Sequence, residues 1–117
     1  MSENILKQKS YSFAIEIVKL SEKLVSERKE FILSKQVLRS GTAIGALIRE
    51  AEFAQSKADF INKMSIALKE ANETIYWLSL LKDTNYISGE IFEDLSKYSK
   101  EIIAMLVASV KTSKTNK

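Results

Sequence analysis

Leu38-Arg39-Ser40-Gly41-Thr42-Ala43-Ile44-Gly45-Ala46-Leu47-Ile48-Arg49-Glu50 is the stretch on which the reading of this chain turns. Small residues fill its middle and an arginine stands near each end. Such a segment is either a glycine-rich ligand loop or a helix that another helix approaches closely. Val37, Gly41, Ile44, Ile48 and Ala51 recur at helical spacing, so the glycines are in phase with apolar residues. A phosphate loop would need Gly-x-x-x-x-Gly-Lys after a strand, and this stretch has neither the spacing, the lysine nor the strand. Two glycines inside a helix cost roughly 1 kcal/mol each relative to alanine. Close helix packing offsets that cost, and Gly41 and Gly45, four apart, form a small-xxx-small pair suited to it.

The same periodicity continues on both sides. Upstream, Phe13, Ile17, Leu20 and Leu24, widened by Ala14, Val18 and Val25, predict a helix over about residues 10–28. Ser34 is the expected N-cap of the glycine-containing helix. Downstream, Ser56 and Asp59 form a capping-box signal before a helix over about 57–82. Its seam is Phe60, Met64, Ala67, Ala71, Leu78 and Leu81, with Thr74 in register. A second stripe on that helix, Ile66, Glu70, Glu73, Trp77 and Leu80, is the candidate subunit interface. Asp83, Thr84 and Asn85 make a turn. Ser88 then caps a last helix, with Glu90, Glu93 and Asp94 near its start and Ile91, Leu95, Tyr98, Ile102, Met105 or Leu106, and Ser109 along its stripe. Four amphipathic helices on short connections predict an all-α, antiparallel up-down four-helix bundle. Residues 1–9 read as a polar lead-in, 10–110 as the bundle and 111–117 as a basic flexible tail.

Composition narrows the chemistry. The 117 residues make one domain, with no Pro and three Gly to interrupt helices. No Cys and no His exclude disulfides, thiolate metal sites, Ser-His and Cys-His nucleophile pairs and Glu-x-x-His di-iron sites. The start MSENILKQKSYSF is too polar for a signal peptide. The longest uncharged run near the end, IIAMLVASV, is too short to cross a bilayer. A cytoplasmic protein without a membrane partner is expected. The net charge of +3 comes from 18 basic and 15 acidic residues. Lys111, Lys114 and Lys117 account for all of the excess, so the body is neutral.

Two constellations invite function. Glu70 with Glu73, and Glu90 with Glu93 and Asp94, have the spacing by which helical bundles hold Mg²⁺ for nucleotide pyrophosphate hydrolysis. The helix dipole explains the second group, and Lys63 and Lys69 stand near the first, so this enzyme reading is the remote one. The expectation is no catalytic residue, no metal and no cofactor. Lys35, Arg39, Arg49, Lys57 and Lys63 are the candidate contacts to RNA or DNA phosphates. Tyr76 and Trp77 suit either base stacking or a protein–protein anchor.

Residues 33–51, LSKQVLRSGTAIGALIREA, and 54–81, AQSKADFINKMSIALKEANETIYWLSLL, resemble the bacterial four-helix-bundle family of 23S rRNA intervening-sequence proteins, also labelled S23 ribosomal proteins. Arg39, Ser40, Gly41, Ile44, Gly45 and Glu50 match its first signature. Ser56, Asp59, Phe60, Lys63, Ala67, Leu68, Glu70, Ala71, Glu73, Thr74, Tyr76, Trp77 and Leu78 match its second. The resemblance implies an antiparallel bundle, a ring-like homo-pentamer and no catalytic activity. A similar fold, the accessory variability protein of diversity-generating retroelements, implies nucleic acid or a nucleic-acid enzyme, a reverse transcriptase, as partner. Leu47 departs from the family, which commonly has Asn there, so no role is carried over to it. The resulting expectation is a non-enzymatic homo-oligomer acting as an interaction or adaptor protein, with RNA or DNA binding as the alternative.

Overall fold

The computed structural model describes residues 2–115, with side chains from residue 5 onward. Four helices follow one another: α1 (Ser2–Arg28), α2 (Leu33–Glu52), α3 (Lys57–Asp83) and α4 (Gly89–Thr115). Each packs on the next and α4 returns to α1, in a body 50 × 22 × 19 Å. Contacts such as Ser21 to Ser34, Glu50 to Lys63 and Ala71 to Ser99 run in opposite chain directions, which is the antiparallel up-down arrangement. The α2–α3 seam is the most extensive and the α1–α4 seam the least. No described helix is long and apolar enough to cross a membrane.

The buried faces largely follow the predicted periodicity, except that Ile91, placed on the α4 stripe, is exposed in the first turn of that helix. Phe13, Ile17, Leu20 and Leu24 from α1 meet Val37, Ile44, Ile48 and Ala51 from α2. Met64, Ala67, Ala71, Leu78 and Leu81 from α3 and Leu95, Ile102 and Leu106 from α4 complete the core. Each large apolar side chain fully removed from water contributes roughly 1.5–3 kcal/mol. Hydroxyls line the seams and are satisfied locally. The Ser40 and Thr74 hydroxyls lie 2.9 Å apart between α2 and α3, and Thr74 also donates to the Glu70 carbonyl at 2.8 Å.

At Gly41 a side chain of α1 packs directly against the backbone of α2. A Cβ added there would stand 2.8 Å from Cγ2 and 2.9 Å from Cγ1 of Ile17. At Gly45 the nearest atom would be Ser10 Oγ at 3.4 Å, an ordinary contact. The close approach read from the small-residue pair therefore rests on Gly41.

Four boundary or face expectations are corrected. α1 starts at Ser2, not near Ser10, because buried Leu6 lies a heptad before Phe13 and continues its face. Lys7 also pairs with Glu52 and Lys9 with Glu101, each at 3.0 Å. Residues 111–115, read as part of a flexible tail, continue α4 to Thr115, and half-buried Val110 packs against the core beside them. Lys117 lies outside the described residues. Ser34 does not cap α2: it is buried one residue inside it, and Glu30 takes the capping role. The Glu30 carboxylate accepts the N–H groups of Ile32, Leu33 and Ser34 at 3.3, 3.1 and 2.7 Å. Finally, Val18 and Val25 do not widen the inner seam of α1 but are exposed on its outside.

The other two caps match. Ser56 Oγ accepts the Asp59 N–H at 3.0 Å, and Ser88 Oγ accepts the Ile91 N–H at 3.1 Å. At the far end, Arg28 crosses the bundle to the α3–α4 turn. Its guanidinium donates to the carbonyls of Asn85 (3.0 Å) and Tyr86 (3.2 Å) and covers the Tyr86 ring.

Candidate interaction surfaces

The second stripe of α3 faces α2. Arg39, half exposed on α2, donates from Nη1 to Glu70 Oε1 at 3.2 Å and from Nη2 to Glu73 Oε2. Glu73 Oε2 also accepts the Trp77 indole N–H at 3.0 Å. Trp77 packs against the core, and Tyr76 meets its ring edge-on with centroids 5.0 Å apart. Glu70, Glu73 and Trp77 are thus organised by Arg39 of their own chain, while Ile66 and Leu80 remain half-buried at the two ends of the stripe. One guanidinium shared by two carboxylates offsets one of their two charges and donates a hydrogen bond to each. Among the described residues no three metal-ligating side chains converge, and Glu90, Glu93 and Asp94 are exposed near the start of α4.

The five candidate phosphate contacts do not form one patch. Arg39 is held by Glu70 and Glu73, and Lys63 pairs with Glu50 at 3.1 Å. Arg49 lies over the Tyr11 ring, 5.5 Å from its centroid. Lys35 and Lys57 are exposed at opposite ends of the α2–α3 pair. What the arrangement does provide is an outward face of α2 bearing Lys35, Arg39 and Arg49, with only Thr42 and Ala46 between them.

Several exposed apolar side chains align on the outer side of α1. Tyr11 (56% exposed), Ile15 (41%), Val18 (38%) and Val25 (36%) run along its outer side. With Glu22 they are spaced four, three, four, three, which is a coiled-coil seam pattern. A second seam, Phe13-Ile17-Leu20-Leu24, is buried on the opposite side. The signal was present in the sequence: two interleaved seams on one helix, one more than a helix needs to join its own bundle. The exposed stripe borders α2, because Arg49 reaches Tyr11 across the tight α1–α2 contact.

Comparison with known proteins completes this description. No curated protein matches the chain. A crystal structure of a protein of unknown function from the S23 ribosomal protein family, from Bacteroides thetaiotaomicron, is 58% identical to it, with a TM-score of 0.94 over 95% of this chain and 99% of that one. The profile of the 23S rRNA-intervening sequence proteins matches residues 2–108, and the chain belongs to that family.

Proposed function

We propose that this protein is a non-enzymatic, self-associating helical bundle that works as an interaction module. The observation that carries this reading is the outer stripe of α1. A bundle with a complete core of its own still presents Tyr11, Ile15, Val18 and Val25 to solvent on one helix face. Four apolar side chains aligned on one helix face, broken only by Glu22, are the kind of surface that marks an interaction site. The intramolecular use of Glu70 and Glu73 by Arg39 supports a structural rather than a catalytic role for that carboxylate pair. Self-association accords with the homo-oligomer implied by the family resemblance, whose ring of five is one arrangement of such subunits.

Sedimentation velocity of the wild type and of Ile15→Glu/Val18→Glu tests the proposal. The wild type should sediment as an oligomer, and the variant should be smaller with unchanged helical circular dichroism. A wild type that remains monomeric up to high micromolar concentration would overturn it.

The outward face of α2 favours a second reading, an RNA partner for the assembled protein. Lys35, Arg39 and Arg49 stand on that face with no acidic residue of α2 among them, and Glu70 and Glu73 of α3 hold Arg39. Binding should then weaken steeply with salt, as counterion release requires. A gel shift that shows no complex with structured RNA at low salt would remove this reading.

A further inference from the structure

We infer that the hollow between the C-terminal half of α1 and the α3–α4 turn binds a small amphipathic carboxylate, with an apolar body of about six carbons on the floor and the carboxylate on Arg28. The site is separate from the self-association reading, because no residue of the outer α1 stripe lines it.

The packing explains why a hollow stands here. The α1–α4 seam is the least extensive of the four, so α4 does not close fully over α1. What remains is an open depression of about 180 Å³. Its floor is Leu20, Leu24 and Ile87, which belong to the core. Ile91 adds an apolar wall and is 37% exposed on the first turn of α4. An apolar cavity of about 150 Å³ takes a benzene-sized group. The depression therefore admits one ring or a short branched chain, and it is smaller than the roughly 300–1,000 Å³ pockets of drug-sized ligands.

The rim supplies the polar end. Arg28 is exposed and makes no ion pair among the described residues. Within the chain it donates only from Nη1, to the carbonyls of Asn85 and Tyr86. Those bonds, with the Tyr86 ring 4.8 Å from the guanidinium carbon, fix the group in place. Nε and Nη2 have no acceptor among the described residues, and that edge of a guanidinium grips a carboxylate by two parallel hydrogen bonds. Ser88 Oγ accepts the Ile91 N–H, which leaves its O–H to donate. Lys23 and Glu27, one turn apart on the rim, carry opposite charges, so the net charge of the rim is the single one of Arg28. One cation beside an apolar floor matches a monoanion with an apolar body. A neutral apolar molecule would leave the guanidinium unused, and a phosphate dianion would be only half compensated.

Phenylacetate is the probe, titrated into the isotope-labelled full chain and followed by amide chemical shifts. Saturable shifts should be confined to residues 20–28 and 86–91, the two segments that line the hollow. The dissociation constant should be on the order of 1 mM, as for other ligands of about ten heavy atoms. Phenylacetamide, alike in shape but uncharged, should bind at least about tenfold more weakly. Arg28→Gln should remove the preference for the carboxylate over the amide. Because that change also releases the α3–α4 turn, Ile91→Glu gives a second test that leaves the Arg28 bonds in place. It sets a negative charge on the wall at an exposed position and should weaken phenylacetate at least about tenfold, with circular dichroism unchanged. No saturable shift up to ~20 mM, about twenty times the expected constant, would overturn the site. So would shifts centred elsewhere in the chain, equal binding of the amide and the carboxylate, or an Ile91→Glu variant that binds like wild type.

Discussion

Alanine at Gly41 and alanine at Gly45 are the same substitution one turn apart on one helix, and they should move stability in opposite directions. Either change raises helix propensity by about 1 kcal/mol. At Gly45 the new methyl lies 3.4 Å from Ser10 Oγ and disturbs nothing, so Gly45→Ala should stabilise the protein by up to about 1 kcal/mol. At Gly41 it would lie 2.8 and 2.9 Å from two carbons of Ile17. Ile17 is fully buried and β-branched, so it has little freedom to turn away. Overpacking of this kind costs about 1–3 kcal/mol, which leaves a net loss of roughly 0–2 kcal/mol for Gly41→Ala. Urea unfolding followed by far-ultraviolet circular dichroism reads both values. Protein concentration must be fixed, because self-association adds a concentration-dependent share to stability. The decisive measurement uses an Ile17→Ala background, which itself costs about 2–4 kcal/mol. There the two crowding γ-carbons are gone and only Cβ of residue 17 remains near, at 3.2 Å, so Gly41→Ala should cost clearly less than in the wild-type background. If it costs the same in both backgrounds, the α1–α2 approach is not what requires glycine at this position, and the reasoning fails.

Other substitutions probe the ends and the seams. Glu30→Ala removes the acceptor for three amides at the start of α2 and should cost about 1–2 kcal/mol, so a variant as stable as wild type would show that water replaces the carboxylate at no loss. Lys29 holds φ 55°, a left-handed conformation that disfavours any residue with a Cβ, and Lys29→Gly should raise stability by about 1 kcal/mol in the same urea assay. Arg39→Ala leaves Glu70 beside Glu73 without a cation and should cost about 1 kcal/mol, a loss that shrinks at high salt because Arg39 is half exposed. A loss independent of salt would assign the role of Arg39 to packing.

The bundle was legible because its buried faces keep helical phase over many turns. Phe13, Ile17, Leu20 and Leu24, or Met64, Ala67, Ala71, Leu78 and Leu81, mark the core without knowledge of their partners. The capping signals at Ser56 and Ser88 were legible for a related reason: the side chain and the amide it accepts are three residues apart. Glu30 was not, since a glutamate reaching forward over three amides lies outside the usual cap residues. The start of α1 was hidden because Lys7, Gln8 and Lys9 make residues 5–10 look polar, although Leu6 is buried and both lysines are paired across seams. The surfaces were harder still. Periodicity showed that α3 carries two apolar faces, but not that Arg39 of the same chain organises the second. It gave Val18 and Val25 to the core, because a wide apolar arc on one helix does not disclose how much of it the neighbouring helices cover.

The thin seam between α1 and α4 has a consequence for how the molecule breathes. The Arg28 clamp pins α1 to the α3–α4 turn at one end of the bundle, while near the other end the described α1–α4 ion pair is Lys9 with Glu101. Transient opening should therefore begin beside Lys9 and swing α4 away from α1 about the clamped end, with α2 and α3 left paired behind it. Amide hydrogen exchange would register this as a gradient: fast along the last turns of α4, slower toward the α3–α4 turn, and slowest in α2 and α3, whose amides exchange only when the whole bundle unfolds.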